Sequence, residues 1–203
     1  MTSKMLPREL LALLLLVIFA VFSASVPAKG DDFGVAASAT DSTFSETTET
    51  ASNWPHIRGP HWDGTSAESG LVDHWPVEGP PVLWTRELGQ GYSAFVAWDD
   101  RVATQCQSLQ GQFVVCMNAD DGSTLWEYRY DWPYDPAGVY PGPRSTPTYA
   151  NGRLYFASPA GLTGCLRAAT GELLWSVDLK GELNGEIVGF GYACSPTVTD
   201  DLV

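Results

Sequence analysis

The chain carries one eleven-residue element twice, first as Cys116-Met-Asn-Ala-Asp-Asp-Gly-Ser-Thr-Leu-Trp126 and then as Cys165-Leu-Arg-Ala-Ala-Thr-Gly-Glu-Leu-Leu-Trp175. The two copies are 49 residues apart, and Pro147 and Pro196 keep the same spacing. Repeats of about 40–50 residues are typical of β-propeller blades. The sequence therefore predicts an array of similar structural units.

Both copies alternate between β-rich runs and turn residues and show no helical period. Asn151-Gly152 separates two such runs. This dipeptide favours a type I′ hairpin, because both central residues of that turn need φ > 0. We therefore expect four short antiparallel strands in each unit. The expected strands are residues 92–98, 101–106, 113–119 and 124–130 in the first unit, and residues 145–150, 153–158, 162–168 and 173–179 in the second.

A segment upstream of the first unit resembles the last strand of a unit. Val82-Leu-Trp84-Thr-Arg-Glu-Leu88 is similar to Leu174-Trp175-Ser-Val-Asp-Leu179. In a closed propeller, an N-terminal outer strand can complete the last blade and pair an edge that would otherwise stay open. We expect residues 81–90 to have this role.

The repeated element resembles the A-x-D-x-x-T-G-x-x-x-W signature of the pyrroloquinoline-quinone (PQQ) repeat. The matching positions are Gly122, Trp126, Thr170, Gly171 and Trp175. Cys165 and Arg167 depart from the signature, which has Ala and Asp at these places. We interpret the matching residues as structural, with glycine at a turn position of φ > 0 and tryptophan packed between neighbouring blades. A tryptophan row that serves as a ligand platform is the alternative, and it would require exposed ring faces.

The stretch Trp54-Pro-His-Ile-Arg58-Gly-Pro-His-Trp-Asp63-Gly64 is similar to the W-P-x-x-R-G-P-x-x-D-G opener of secreted bacterial PQQ-like propeller proteins. These resemblances imply an all-β fold, a PQQ-like β-propeller of four-stranded antiparallel blades, with about two blades and an N-terminal outer strand present. The expected parts are an opener (53–80) and an incomplete propeller (81–203), which consists of the outer strand (81–90), two blades (91–143 and 144–191) and the start of a third blade (192–203).

The length of the repeat region is short for a closed propeller. Gly91 to Val203 spans 113 residues, or about 2.3 repeats of 49, whereas propellers close with about 4–8 blades. Residues 195–203 align with residues 146–154, where a second strand has just begun. We therefore expect an N-terminal fragment of a larger propeller, whether a natural truncation or a piece of a longer sequence.

The N-terminus has the pattern of a secretory signal peptide. Lys4 and Arg8 precede an apolar run at residues 10–22, and small residues follow up to Ala28. The run is short for a membrane span, which needs about 20 residues. We expect a signal peptide (1–28), a disordered Ser/Thr/Asp-rich tether (29–52) and export to the periplasm or the extracellular space. Anchoring by an uncleaved N-terminal helix is the alternative.

The charge of the chain restricts its partners. Its formal net charge is −13, and an acidic surface repels nucleic acids and anionic membranes. We expect neither nucleic-acid binding nor stable membrane insertion after signal cleavage. Protein or polysaccharide partners remain.

Four cysteines in an exported chain suggest disulfide bonds. However, Cys116 and Cys165 occupy equivalent places in successive units, which puts them too far apart to bond. The turn before the third strand pairs Cys106 with Phe113 rather than with another cysteine. We therefore predict four buried free thiols, including Cys194 at the start of the third unit.

A long connection between the two units is the best candidate for partner contact. It covers residues 131–143 and carries Trp132, Tyr134, Asp135 and Tyr140. Loops that link blades line one face of a propeller, where partners and ligands bind. Its counterpart, residues 180–191, carries Phe190. The alternative is local packing of these aromatic side chains over the blade rim.

Three of the four Asp-Asp pairs in the chain lie at expected hairpin turns. Asp99-Asp100, Asp120-Asp121 and Asp200-Asp201 lie at such positions, where aspartate stabilises the turn. No catalytic, cofactor-binding or metal-ligating set can be assigned from two blades.

Two functional hypotheses follow. The first is a non-catalytic exported propeller that binds protein or polysaccharide partners. The second is a fragment of a PQQ-dependent quinoprotein alcohol dehydrogenase. In that case the resemblance implies that the full-length protein binds PQQ and Ca²⁺ and has its catalytic residues beyond residue 203. The chain lacks the adjacent Cys-Cys pair that such enzymes place against PQQ, and it lacks a C-x-x-C-H haem motif.

Overall fold

The computed structural model describes residues 53–135, 140–187, 189–200 and 202–203. The predicted signal peptide (1–28) and tether (29–52) lie outside these ranges. Within them, no helix has the length and apolar character needed to cross a lipid bilayer.

Eight strands form two four-stranded antiparallel sheets, each with its strands in sequence order. The first sheet, blade 1, and the second sheet, blade 2, confirm the all-β class and the four antiparallel strands predicted for each unit. The strands of blade 1 are β1 (Val96–Trp98), β2 (Arg101–Ser108), β3 (Gly111–Asn118) and β4 (Thr124–Asp131). The strands of blade 2 are β5 (Thr148–Ala150), β6 (Arg153–Ala157), β7 (Leu162–Arg167) and β8 (Leu173–Asp178).

Local turn chemistry fixes the strand register as predicted. Asn151 and Gly152 have φ of 51° and 73°, and Ala150 pairs with Arg153 across their turn. In blade 1, Cys106 lies opposite Phe113. The predicted hairpin and the predicted partner of Cys106 are both confirmed.

The first strand of each blade is shorter than the sequence predicts. β1 begins at Val96 and β5 at Thr148, three to four residues later than expected. The backbone N–H of Ala94 donates to Thr146 Oγ1 at 3.0 Å, and the N–H of Thr146 donates to Ser195 Oγ at 3.0 Å. These residues therefore bond from one unit to the next rather than within their own sheet.

The main core lies between the two sheets. Blade 1 contributes Val114, Cys116 and Trp126, and blade 2 contributes Leu154 and Phe156, all buried. Burying a large apolar side chain stabilises the fold by about 1.5–3 kcal/mol. The two blades thus stabilise each other through a shared interior.

Trp126, at one side of this core, packs against the β7–β8 turn of blade 2. Trp126 donates its indole Nε1–H to the carbonyl oxygen of Ala168 at 3.0 Å. Its ring covers Gly171, where an added Cβ would lie 2.6 Å from Trp126 Cε3. Only glycine allows this approach, and Gly171 also has φ of +73°.

The same contact recurs upstream, between Trp84 and blade 1. Trp84 donates Nε1–H to Ala119 O at 2.9 Å and covers Gly122 as Trp126 covers Gly171. Residues 81–89 have no strand pairing in the structure, so the predicted outer strand remains a prediction. Trp175, the next tryptophan in the series, is 38% exposed.

The opener covers the free edges of β1 and β5. Trp54 forms an antiparallel bridge with Ala97, with hydrogen bonds of 2.8 and 2.9 Å in the two directions. The carbonyl oxygen of Pro55 accepts a bond of 2.7 Å from the N–H of Tyr149. Edge groups that would otherwise be unpaired are satisfied in this way.

All four cysteines are free, as predicted, but one of them is not buried. Cys106, Cys116 and Cys165 are buried, whereas Cys194 is exposed. The prediction of four buried thiols is therefore wrong at Cys194. The physical reason is that residues 190–198, which contain it, form no sheet within the described ranges.

A candidate binding pocket at the blade connections

Strand direction brings the blade connections together at one end of the fold. Because each blade is an antiparallel meander, the segments that enter and leave it emerge on the same side as its β2–β3 or β6–β7 turn. Three such segments are described: one before β1, one between β4 and β5, and one after β8. Connecting segments on a rigid scaffold commonly carry binding residues.

Each of these three segments contributes an aromatic ring to one pocket. The pocket has a volume of about 320 Å³ and is lined by Tyr92, Tyr140, Arg144 and Phe190. The rings of Tyr92 and Tyr140 meet edge to face, with centroids 6.2 Å apart. Tyr140 meets Phe190 in the same way at 5.3 Å. The three connections thus build one aromatic wall.

Arg144 places a positive charge in this aromatic setting. Its guanidinium carbon lies 5.7 Å from the ring centroid of Tyr92 and 5.3 Å from that of Phe190, which are cation–π distances. Nη1 donates to Gly142 O at 3.1 Å, and Nη2 donates to Tyr140 O at 2.7 Å. Backbone carbonyls therefore hold the guanidinium in place.

Arg144 has no ion pair with a carboxylate in the described part of the chain. The ion pairs found there involve other side chains. The neighbouring residues 136–139 are Pro, Ala, Gly and Val, which carry no charge. The positive charge of the pocket is thus not neutralised by an acidic side chain of these segments.

Tight backbone contacts fix the segments that carry the pocket residues. The N–H of Tyr92 donates to Pro143 O at 2.8 Å. Gly142 has φ of +92°, and an added Cβ there would lie 2.8 Å from Gln90 O. A side chain at position 142 would push the second connection away from the first.

A buried glutamine in β2, Gln105, is hydrogen-bonded to the segment before β1 and to the segment before β5. Gln105 is 2% exposed, and its Nε2 donates to Ser145 O at 2.7 Å. Its backbone N–H donates to Ser93 Oγ at 3.3 Å. Ser93 follows Tyr92 in the chain and Ser145 follows Arg144, so Gln105 couples the two pocket-bearing segments. Its Oε1 is buried and has no partner in the described residues.

The four residues predicted as a binding loop separate in the structure. Tyr140 lines the pocket, and Tyr134 supports the connection through a bond from Gly142 N to Tyr134 O of 2.9 Å. Trp132 is 75% exposed and lies 5.2 Å from the guanidinium of Arg129. Asp135 is exposed. The pocket therefore gathers only Tyr140 from this set.

Sequence reasoning did not single out Tyr92 or Arg144. They are 52 residues apart, which is also the offset between the starts of β1 and β5. Alignment of the inner strands at this offset, instead of the 49-residue offset of the tryptophan element, would have placed both residues at equivalent positions.

Two of the described carboxylates have structural partners near a turn or a strand end. Hydrogen bonds from Ser123, from its side chain and from its backbone, lower the pKa of Asp121. Asp131 Oδ2 accepts a bond of 3.1 Å from Ser158 Oγ. Within the ranges that the structure describes, no three His, Cys, Asp or Glu side chains gather as a metal ion would require.

The residues that line the aromatic pocket do not fit a calcium-bound quinone. Ca²⁺ takes six to eight oxygen ligands, several of them from carboxylates. The aromatic pocket is lined by one cation and no carboxylate. This pocket therefore offers no carboxylate ligand to a calcium ion.

The buried thiols are poor nucleophiles at neutral pH. Burial raises the pKa of Cys106 and of Cys116 to about 11. Since the thiolate is the reactive form of cysteine, both side chains stay protonated and inert near pH 7.

Comparisons with known proteins match part of this chain. Residues 110–203 match the family model described as outer membrane protein assembly factor BamB. No curated protein sequence matches the chain.

Two solved structures illustrate the structural likeness. The crystal structure of BamB from Moraxella catarrhalis aligns with a TM-score of 0.37 and 16% identity, over 47% of this chain and 26% of that chain. A europium-containing methanol dehydrogenase aligns with a TM-score of 0.37 and 17% identity, over 45% of this chain and 16% of that chain. The aligned part thus spans about a quarter or less of either relative.

Proposed function

We propose that this chain, whose residues 110–203 carry PQQ-like propeller repeats, is an exported binding module that holds protein or polysaccharide partners at its blade connections. In this proposal the propeller is a non-catalytic scaffold. The repeats position the connections, and the connections make the contacts.

The convergence of three connections on one pocket carries this proposal. Tyr92, Tyr140 and Phe190 come from successive connections, and each is about half exposed, at 56%, 45% and 56%. Large exposed aromatic side chains that cluster on one surface are typical of interaction sites. Blade packing alone would favour rings buried between sheets, as Trp126 is.

The exposed part of the long connection extends the proposed contact surface. Trp132 presents most of its ring to solvent beside Arg129, and Asp135 is exposed as well. Together with Tyr134 and Tyr140 these residues form the proposed binding loop. A partner larger than the pocket would contact them around its rim.

The N-terminal sequence supports export. A basic start, an apolar run at residues 10–22 and small residues up to Ala28 form the pattern of a secretory signal. The proposed location is the periplasm or the extracellular space. Fractionation of cells that express the full-length protein, with detection of the processed N-terminus, tests this part of the proposal.

Binding arrays test the function itself. The full-length protein is applied to a polysaccharide array and to a peptide array, next to its Tyr140→Ala and Trp75→Ala variants. Trp75 is 57% exposed and does not line the pocket, so it is a matched aromatic control. We expect binding to one array that Tyr140→Ala abolishes and Trp75→Ala preserves.

A second assay separates binding from catalysis. The full-length protein is mixed with alcohols and a redox dye, with and without added PQQ and Ca²⁺. Dye reduction that requires both additions would overturn the scaffold proposal in favour of a quinoprotein dehydrogenase. Absence of binding on both arrays would also contradict it.

A further inference from the structure

We propose that the pocket lined by Tyr92, Tyr140, Arg144 and Phe190 binds the C-terminal residue of a partner polypeptide. The apolar side chain of that residue lies among the three rings, and its free carboxylate pairs with Arg144. This inference rests on the proposed binding function and names its ligand class.

The lining of the pocket favours an apolar group over a sugar. Three of its four lining side chains are aromatic, and a sugar ring would bring several hydroxyl groups into this environment. A buried hydroxyl without a hydrogen-bond partner costs about 1–3 kcal/mol. Each buried sugar hydroxyl would need a partner from the two tyrosine hydroxyls or the guanidinium, whereas an apolar side chain needs none.

The state of Arg144 favours a carboxylate. Two carbonyl oxygens hold its guanidinium in place, at 3.1 and 2.7 Å, but no described carboxylate neutralises it. A guanidinium presents five N–H donors, so donors remain for a ligand after these two bonds. An Arg–carboxylate pair is a charge-assisted interaction that is often bidentate.

The guanidinium of Arg144 also limits which ligands can stack on the rings of Tyr92 and Phe190. It lies within cation–π distance of both Tyr92 and Phe190, so it competes for the ring faces on which a sugar or another planar group would stack. A compact aliphatic side chain can still fill the space between the rings. The pocket is thus an apolar volume whose lining includes one guanidinium, that of Arg144.

A polypeptide C-terminus combines both features within one residue. Its carboxylate and its side chain are attached to the same Cα, so a volume of about 320 Å³ can receive them together. An internal Asp or Glu supplies a carboxylate without an apolar side chain. An internal Leu or Phe supplies the side chain without the charge.

Three short peptides test the inference on the full-length protein. The first ends in Leu as a free acid, the second is the same peptide with a C-terminal amide, and the third is a free acid that ends in Ser. We expect the Leu acid to bind at least about tenfold more tightly than either of the others, because each lacks one of the two interactions.

Two arginine variants test whether Arg144 is responsible for the preference for the peptide acid over the amide. In Arg144→Gln the preference for the acid over the amide should disappear. Arg153→Gln should keep the preference, since Arg153 is an exposed arginine at the start of β6, at the opposite end of the blade. The peptide comparison on the unmodified protein needs no variant, so a misfolded Arg144→Gln would not leave the inference untested.

The outcomes separate this inference from the proposed function. Equal affinity for the acid and the amide would overturn the C-terminus inference, while peptide binding itself would still support a binding module. Binding of a polysaccharide that Tyr140→Ala abolishes, with no peptide binding, would likewise overturn only the inference. Absence of any ligand on either array would contradict both.

Discussion

Trp126 and Ala168 are joined by a hydrogen bond of 3.0 Å from the indole Nε1 of one blade to a turn carbonyl of the next. Trp84 and Ala119 repeat this bond at 2.9 Å. In both cases the ring covers a glycine of positive φ, Gly171 or Gly122. Trp126 of the repeated element therefore joins blade 1 to blade 2, and its ring packs against a turn.

Gly171→Ala should destabilise the protein more than Gly152→Ala. Both glycines have φ of +73°, so both substitutions cost about 1–2 kcal/mol of backbone strain. Only at Gly171 would the new Cβ meet the Trp126 ring, at 2.6 Å, whereas Gly152 faces open space. We expect an additional cost of about 1–3 kcal/mol at Gly171, measured by urea unfolding. Equal costs at the two positions would contradict the packing described.

Thr146→Val should weaken the link between successive units. Thr146 is 1% exposed, and its Oγ1 accepts the N–H of Ala94 at 3.0 Å. Valine keeps the shape but leaves this N–H without its partner, which costs about 1–3 kcal/mol. Thr163→Val, at a partly buried position within β7, is the control and should cost less. Urea unfolding of both variants makes the comparison.

Thiol labelling of the native protein should find one reactive cysteine. Cys194 is exposed, whereas Cys106, Cys116 and Cys165 are buried, and burial raises the pKa of all three buried thiols. Maleimide at pH 7 should modify Cys194 at least about tenfold faster than the others, as read by peptide mass spectrometry. Rapid labelling of Cys106 in folded protein would show that its sheet opens.

Alkaline pH should reduce the stability contributed by the buried thiols. Cys106 and Cys116 have pKa values of about 11 in the folded protein, against 9.0 for an ordinary thiol. Between these values the unfolded chain has released protons that the folded chain still holds, so the free energy of unfolding falls as pH rises. A Cys106→Ala/Cys116→Ala variant should show a shallower fall between pH 9 and pH 11. An identical slope would contradict the assigned burial.

Local chemistry explains which parts of the fold could be predicted from the sequence. The φ > 0 requirement of a type I′ turn placed Asn151-Gly152, and that turn fixed the pairing of Ala150 with Arg153. The spacing of the repeat placed Trp126 and Trp175 in equivalent strands. These features depend on residues that are adjacent in the sequence or that recur at a fixed spacing, so they can be predicted from the sequence alone.

The pocket depends on contacts that no short sequence pattern contains. Tyr92 meets Tyr140 across a whole blade, and Arg144 meets Phe190 across the next blade. The sequence marked Tyr140 as an aromatic residue in a connection but could not show which residues surround it. For the same reason it could not show that β1 begins only at Val96, since Ala94 bonds to the next unit.

The ratio of affinities for a Leu-terminated peptide acid and its amide, measured by calorimetry on the full-length protein and on Arg144→Gln, tests the central claim most directly. The claim is that the connections form a binding pocket in which Arg144 receives a carboxylate. The expected ratio is at least about ten for the unmodified protein and near one for the variant. A ratio near one for the unmodified protein, or an unchanged ratio in a folded Arg144→Gln, would contradict it.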